Sequence, residues 1–177
     1  MDIEALNELG RKHLERGEHR EALVQFERML ELFKERSDTR DLAELYNNIG
    51  HARVAMKRFD EALISFNEAA LIYGRRGDLI RMAEQFGNIG SVYRDRGEVL
   101  SAVESYRRAL AIFEEQSYRL GVADQCANLG YIYAVGGDPG TAIEWFDRAL
   151  ALYRLEGEDV RAGLTEKNLQ TLRRLIG

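Results

Sequence analysis

The sequence predicts an all-α solenoid of four antiparallel helix pairs followed by a C-terminal capping helix. One pattern returns every 40 residues, and a fixed period of this size is the signature of stacked repeats. Apolar residues within each repeat also step by three and four, as they do on one face of a helix. The repeating slots hold Gly10, Gly50, Gly90 and Gly130; Ala22, Ala62, Ala102 and Ala142; and Phe26, Phe66, Tyr106 and Phe146.

Composition excludes several classes of protein. The 177 residues are 45% hydrophobic and 31% charged, which is ordinary for a folded domain. A net charge of −5 lacks the positive patch of a nucleic-acid binder. No apolar run has the length of a membrane span and no basic-then-apolar leader opens the chain, so we expect no membrane insertion and a cytoplasmic location. The single cysteine, Cys126, agrees with a reducing compartment.

Each repeat is predicted to contain two helices joined by a tight turn. In the first repeat the helices cover residues 3–16 and 19–36. A left-handed residue closes the first helix of each pair, and its slot holds Gly17, Lys57, Gly97 and Gly137. Polar links join the pairs at Ser37-Asp38, Gly77-Asp78, Ser117-Tyr118 and Gly157-Glu158. The predicted repeats span residues 1–38, 39–78, 79–118 and 119–158 within one domain of residues 1–177.

The last stretch, residues 159–176, contains only the first half of the pattern and is predicted to be the capping helix. A terminal repeat needs a polar outer face, because no neighbour covers it. The residues expected on that face are Glu166, Lys167, Gln170, Arg173 and Arg174. Leu164, Leu169 and Leu172 are expected to face inward.

The glycine slots predict close approach of the two helices within each pair. A glycine inside a helix costs about 1 kcal/mol relative to alanine, so close packing has to offset that cost. The aromatic slots at Phe66, Tyr106 and Phe146 are expected to fill the adjacent space.

Two stretches, Ile89-Gly90-Ser91-Val92-Tyr93 and Leu129-Gly130-Tyr131-Ile132-Tyr133, are each followed by an alanine and, four residues later, an aromatic residue. This arrangement resembles the tetratricopeptide repeat. At 40 residues the unit is longer than the usual repeat of about 34, and it is similar to the repeats of kinesin light chains, G-protein-signalling modulators and bacterial peptide-sensing regulators. The resemblance implies a right-handed α-solenoid that binds peptides or proteins in a concave groove lined by the first helices.

The resemblance also indicates which residues would contact a peptide. The position two residues before each repeat glycine is a common contact, and here it holds Asn48, Asn88 and Asn128. An amide side chain offers donors and an acceptor together, so it can bond a peptide backbone whatever the peptide's side chains. Alternatively, these asparagines bridge neighbouring helices or face water. Residues that follow the glycines are expected side-wall contacts, namely His51, Ser91 and Tyr131.

The same face is predicted to be acidic. Four residues before the asparagines come Glu44, Glu84 and Asp124, while Arg11 and Arg94 are the nearby cations. Family members that bind chaperone tails use lysine or arginine there, so the resemblance disfavours that role. We therefore expect a partner with basic residues, bound more weakly as salt rises. The alternative is that these acids are only solvated helix surface.

Two aromatic residues stand in slots that are otherwise polar. Trp145 replaces glutamine or serine, and Tyr118 replaces an acidic residue. Exposed aromatic residues often anchor contacts, so these two define a possible second surface that includes self-association into a homo-oligomer. The alternative for Trp145 is packing against the terminal helix.

Nothing in the sequence predicts a catalytic site, a metal site or a cofactor. The three histidines have no familiar metal spacing, and none pairs with Cys126 or a serine in a nucleophile pattern. The predicted function is therefore a non-enzymatic scaffold or adaptor that binds a protein or peptide. Two alternatives stay open: a peptide-sensing regulatory domain and a self-assembling oligomer scaffold.

Overall fold

The computed structural model describes residues 2–36 and 41–176. Within these ranges the chain forms nine α-helices and no strand, which confirms the predicted all-α fold. The helices are α1 (Ile3–Glu15), α2 (His19–Arg36), α3 (Leu42–Ala55), α4 (Phe59–Arg75), α5 (Leu79–Asp95), α6 (Val99–Glu115), α7 (Arg119–Val135), α8 (Pro139–Leu155) and α9 (Asp159–Ile176). The predicted link at Ser37-Asp38, with the boundary between the first two repeats, lies outside the described residues.

The chain divides into two compact units, Met1–Val92 and Tyr93–Gly177. In the first unit α1 packs on α2, α2 on α3, and α3 on α4. In the second unit α6 packs on α7, α7 on α8, and α8 on α9. This packing of consecutive helices is that of an α-solenoid. The assignment of the whole chain to one domain remains a prediction.

The turns within the helix pairs have the predicted left-handed backbone. Their φ values are 72° at Gly17, 58° at Lys57, 78° at Gly97 and 81° at Gly137. After each turn residue the next amide reaches back five residues, as in the bond from the Glu18 N–H to the His13 carbonyl at 2.8 Å. These bonds satisfy carbonyls that the helix end would leave unpaired. Lys57 adopts this geometry without glycine's freedom, so its turn carries backbone strain.

Close contact between the helices of a pair explains three of the repeated glycines. A Cβ atom added at Gly10 or Gly50 would lie 2.5 Å from a ring carbon of Phe26 or Phe66. At Gly130 the corresponding distance to the Phe146 ring is 2.8 Å. The aromatic rings are themselves buried, so the glycine slot and the aromatic slot form one packing unit, as predicted.

The capping helix α9 buries Leu169 and Leu172, as predicted, and exposes Lys167, Gln170, Arg173 and Arg174. Glu166 is half-buried. The prediction that Leu164 faces inward is wrong, because the side chain is 58% exposed. Leu164 occupies the same repeat position as Glu44, Glu84 and Asp124, whose side chains point away from the core. Its position on the helix, and not its apolar side chain, therefore determines that it faces outward. None of the helices in the described ranges is long and apolar enough to span a membrane.

Candidate functional site

The first unit contains an open pocket of about 460 Å³, which we name the amide pocket. It is lined by Glu44, Asn47, Asn48, His51, Tyr73, Arg81, Glu84, Gln85 and Asn88. Helices α3 and α5 supply most of these side chains, and α4 contributes Tyr73. Five residues predicted from sequence meet here: Asn48, Asn88, Glu44, Glu84 and His51. The four that sequence reasoning missed are Asn47, Tyr73, Arg81 and Gln85.

A network of amide side chains forms one wall of this pocket. The Nδ2 group of Asn88 donates to Asn47 Oδ1 at 3.3 Å and to Gln85 Oε1 at 3.5 Å. Asn47 in turn donates to Asn48 Oδ1 at 3.5 Å. Asn88 therefore bridges α5 to α3, as the alternative interpretation expected, and the same bond fixes its orientation toward the pocket. Gln85 is 2% exposed and donates to the Arg81 carbonyl at 3.3 Å, so the wall has a rigid base.

The charged groups of the amide pocket are partly unpaired. No ion pair to Glu44 or Glu84 is formed within the described ranges, and desolvation raises the pKa of Glu84. Arg81 lies over the Tyr73 ring, 5.7 Å from its centroid, and its Nε is 3.6 Å from Asp78 Oδ2. The pocket therefore presents two carboxylates beside one cation that has a partner elsewhere.

His51 lies at the rim of the pocket and packs edge-on against Phe66, with the ring centroids 5.2 Å apart. Desolvation lowers the pKa of His51. The imidazole is therefore neutral at neutral pH and leaves the negative charge of the pocket unbalanced.

The second unit contains a smaller pocket of about 270 Å³, which we name the aromatic pocket. It is lined by Arg94, Ala127, Asn128, Tyr131, Phe146, Tyr153, Arg161, Leu164, Thr165 and Asn168. Three predicted residues lie here: Arg94, Asn128 and Tyr131. Asn128 donates to Gln125 Oε1 at 3.5 Å, which repeats the bond between Asn88 and Gln85. Arg94 is held by Asp95 at 2.9 Å and lies 5.8 Å from the Tyr131 ring centroid.

The third predicted acid, Asp124, forms an ion pair and hydrogen bonds with neighbouring side chains. Its carboxylate accepts from Arg161 Nη1 at 2.8 and 3.0 Å and from the Tyr153 hydroxyl at 2.7 Å. Burial, together with this bond to Asp124, raises the pKa of Tyr153. The acidic face predicted from sequence therefore differs between the units, because Asp124 is paired whereas Glu44 and Glu84 are open.

The remaining predicted residues lie outside these two pockets. Arg11 lines a shallow pocket on α1 beside Glu8, whose carboxylate pairs with Lys12 at 2.6 Å. Ser91 is half-buried on α5. Trp145 is half-buried on α8, between the exposed and packed alternatives. Tyr118 is half-buried too, and its ring packs 5.5 Å from that of Phe113, so much of its surface is already used.

No group of three or more histidine, cysteine, aspartate or glutamate side chains that could hold a metal occurs in the part of the chain that the structure describes. Cys126 is fully buried, and burial raises the pKa of its thiol to about 11. The thiol is therefore protonated at neutral pH.

A family model described as tetratricopeptide repeat matches residues 41–115 and 80–155. The fold is similar to that of BtubC (BKLC) from P. vanneervenii, with a TM-score of 0.72 and 20% identity over 98% of this chain and 80% of that one. It is also similar to MamA, with a TM-score of 0.70 and 22% identity over 89% of this chain and 81% of that chain. A search among curated proteins found no significant match.

A further similar structure is the Signal Transduction ATPase with Numerous Domains protein with a tetratricopeptide repeat sensor from Pyrococcus horikoshii. Its TM-score is 0.88 at 16% identity, and the match covers 96% of this chain and 26% of that chain. At these identities the three structures show a shared fold.

Proposed function

Because the chain belongs to the tetratricopeptide repeat family, a family of protein-interaction scaffolds, we propose that it binds an extended peptide or partner segment without catalysing a reaction. The observation that carries this proposal is the convergence of Asn48 and Asn88 in one open pocket with Asn47 and the buried Gln85. An extended peptide exposes its own N–H and C=O groups in alternation, and an amide-lined wall offers both complements.

The amide network leaves groups available for such a peptide. Among the described residues, no hydrogen bond uses the Nδ2 group of Asn48 or the Oδ1 atom of Asn88. Each bond that these atoms form with a peptide backbone contributes a net stabilisation of about 0.5–1.5 kcal/mol. The bonds to Asn47 and Gln85 hold the amides in place beforehand, so little side-chain entropy is lost on binding.

Charge adds selectivity for a partner with basic residues. Glu44 and Glu84 supply the attraction in the amide pocket, whereas Asp124 contributes little because Arg161 and Tyr153 already bind it. We therefore assign the recognition of basic residues to the first unit. Such exposed charges are screened over about 8–10 Å at physiological ionic strength, so affinity falls as salt rises.

A second candidate function is that of a peptide-sensing regulatory domain. The Pyrococcus horikoshii protein has a tetratricopeptide repeat sensor, and this chain spans 26% of that protein's length. In this role, peptide binding in the amide pocket would change an attached or associated effector. A self-assembling scaffold is a third possibility, for which Trp145 supplies the half-buried aromatic surface. A mass by light scattering that stays monomeric at all concentrations would remove that possibility. A cytoplasmic location remains part of the proposal.

Capture of partners from a native lysate tests the proposed function. The bait is the wild-type protein, and the variant carries Asn48→Ala, Asn88→Ala and Asn128→Ala. Asn67→Ala is the matched control, because Asn67 is an exposed amide on α4 whose side chain, among the described residues, bonds to Leu63 O of its own helix. We expect one partner retained by wild type and control, lost by the triple variant, and released at high salt. Equal recovery on all three proteins would show that the asparagines are structural.

A further inference from the structure

Three slots recur 80 residues apart in the two units and have different geometry in each. They hold an acidic residue on a first helix, a tyrosine near the end of the second helix, and an arginine at the start of the next helix. In the first unit these are Glu44, Tyr73 and Arg81, and in the second unit Asp124, Tyr153 and Arg161.

In the second unit the three side chains form a closed cluster. Arg161 donates two bonds to Asp124 at 2.8 and 3.0 Å while its guanidinium lies 6.0 Å from the Tyr153 ring centroid. Its Nε is also 3.6 Å from Glu158 at the start of the helix. Arg161 therefore contacts both Glu158, at the start of its own helix, and Asp124 on helix α7.

In the first unit the same arrangement is open. Arg81 lies over Tyr73 at 5.7 Å and is 3.6 Å from Asp78, the counterpart of Glu158. No ion pair joins it to Glu44 in the described part of the chain, although both line the amide pocket. The side chain of Arg81 is 57% exposed, and its ion pair with Asp78 is therefore one that water screens and another carboxylate can replace.

We propose that Arg81 sets the charge selectivity of the amide pocket by competing with a ligand's cationic side chain for Glu44. This inference rests on the proposed function. With Arg81 at Asp78, the pocket presents Glu44 and Glu84 to a lysine or arginine of a peptide. With Arg81 on Glu44, that carboxylate is paired as Asp124 is, and Glu84 and the amides remain for binding.

Peptide titrations followed by NMR test this competition. The probe is the capped peptide acetyl-Ala-Ala-Arg-Ala-Ala-amide, and the same peptide with glutamine at its centre is the control. Arg81→Gln should tighten binding of the arginine peptide by about two- to fivefold, the range that an exposed ion pair supplies. Asp78→Asn should weaken it by a similar factor, because it frees Arg81 for Glu44.

The substitution Asp78→Asn keeps the start of helix α5 intact. Asp78 Oδ1 accepts from the Arg81 N–H at 3.2 Å, and asparagine caps helices as well as aspartate. In Asp78→Asn, side-chain NOEs between Arg81 and Glu44 should appear. Affinity for the glutamine peptide should stay the same in all proteins.

Two further variants distinguish competition between Arg81 and the peptide for Glu44 from a change in the overall electrostatic field of the protein. Arg75→Gln and Glu68→Gln remove charges of the same signs from exposed positions on α4. If these changes alter the affinity as much as Arg81→Gln and Asp78→Asn do, the effect is long-range and the proposal is wrong. It is equally wrong if the arginine peptide binds none of the proteins at millimolar concentration.

The double variant Asn48→Ala, Asn88→Ala separates this inference from the proposed function. If it abolishes peptide binding while Arg81→Gln leaves the affinity unchanged, the amide pocket is the binding site but Arg81 does not set its charge selectivity. If the double variant binds like wild type, peptide binding by the amide wall fails instead.

Discussion

Replacing Gly50 by alanine tests the packing of a helix glycine against an aromatic ring, which recurs at Gly10 and Gly130. The new Cβ would lie 2.5, 2.7 and 2.8 Å from three atoms of the Phe66 ring. Carbon atoms do not approach this closely, and Phe66 is 1% exposed, so the ring has no free space to move into. Either the ring or helix α3 must shift, which strains the contact between α3 and α4.

The magnitude follows from two opposing effects. Alanine is favoured over glycine in a helix interior by about 1 kcal/mol. Overpacking a well-filled core costs about 1–3 kcal/mol, and contacts well inside van der Waals distance belong in the upper half of that range. We therefore expect Gly50→Ala to lower the free energy of unfolding by a net amount of about 1–2 kcal/mol.

Gly163 supplies the matched control. It lies inside helix α9, and a Cβ there would meet nothing within 4 Å. Gly163→Ala should therefore raise the free energy of unfolding by about 0.5–1 kcal/mol, since only the helix preference changes. Urea denaturation followed by circular dichroism measures both values. A Gly50→Ala protein as stable as wild type, beside a stabilised Gly163→Ala protein, would refute the packing argument.

Three further predictions concern single side chains. Lys57→Gly removes the backbone strain of a left-handed residue with φ 58° and should raise the free energy of unfolding by about 0.5–1 kcal/mol. Urea denaturation measures this change, and a loss of stability would show that the turn at Lys57 is not strained. Tyr153→Phe removes the 2.7 Å bond to Asp124 and should lower the free energy of unfolding by about 1–2 kcal/mol, whereas Tyr133→Phe removes an exposed bond to Arg107 and should change it little. Equal losses would contradict the larger contribution of the part-buried bond. Because the pKa of the Cys126 thiol is raised to about 11, the thiolate is scarce at pH 8, and alkylation should be at least about 100-fold slower than for a free cysteine until urea unfolds the chain. Mass spectrometry after iodoacetamide treatment would contradict this if the native protein reacted at once.

The 40-residue period accounts for what could be predicted of the site. A residue's slot in the repeat determines which way it faces, so Asn48, Asn88, Glu44 and Glu84 could be assigned to one side without coordinates, and they meet in one pocket. The same slot logic would have placed Leu164 correctly, beside the acids that face outward. Judging Leu164 by hydrophobicity instead gave the wrong orientation.

Side-chain pairing within the site could not be predicted from the period. Asp124 has the same repeat position as Glu44 and Glu84, which form no ion pair in the described part of the chain. Its partner Arg161 lies 37 residues later, and the pairing depends on side-chain length and rotamer. Asn47 and Gln85 were missed because the period identifies slots and not the bonds between neighbouring slots. An 80-residue similarity between Tyr73 and Tyr153, and between Arg81 and Arg161, was the available signal for the cluster.

The most direct test of the central claim is site-specific photo-crosslinking in the native lysate. A benzoylphenylalanine placed at His51 would lie at the rim of the amide pocket, and the same group at Glu68 would lie on the exposed surface of α4. We expect the His51 position to crosslink one partner through a segment that contains lysine or arginine, with a yield that falls at high salt. Crosslinking of the same partner from Glu68 but not from His51 would contradict the claim that the amide pocket is the binding site.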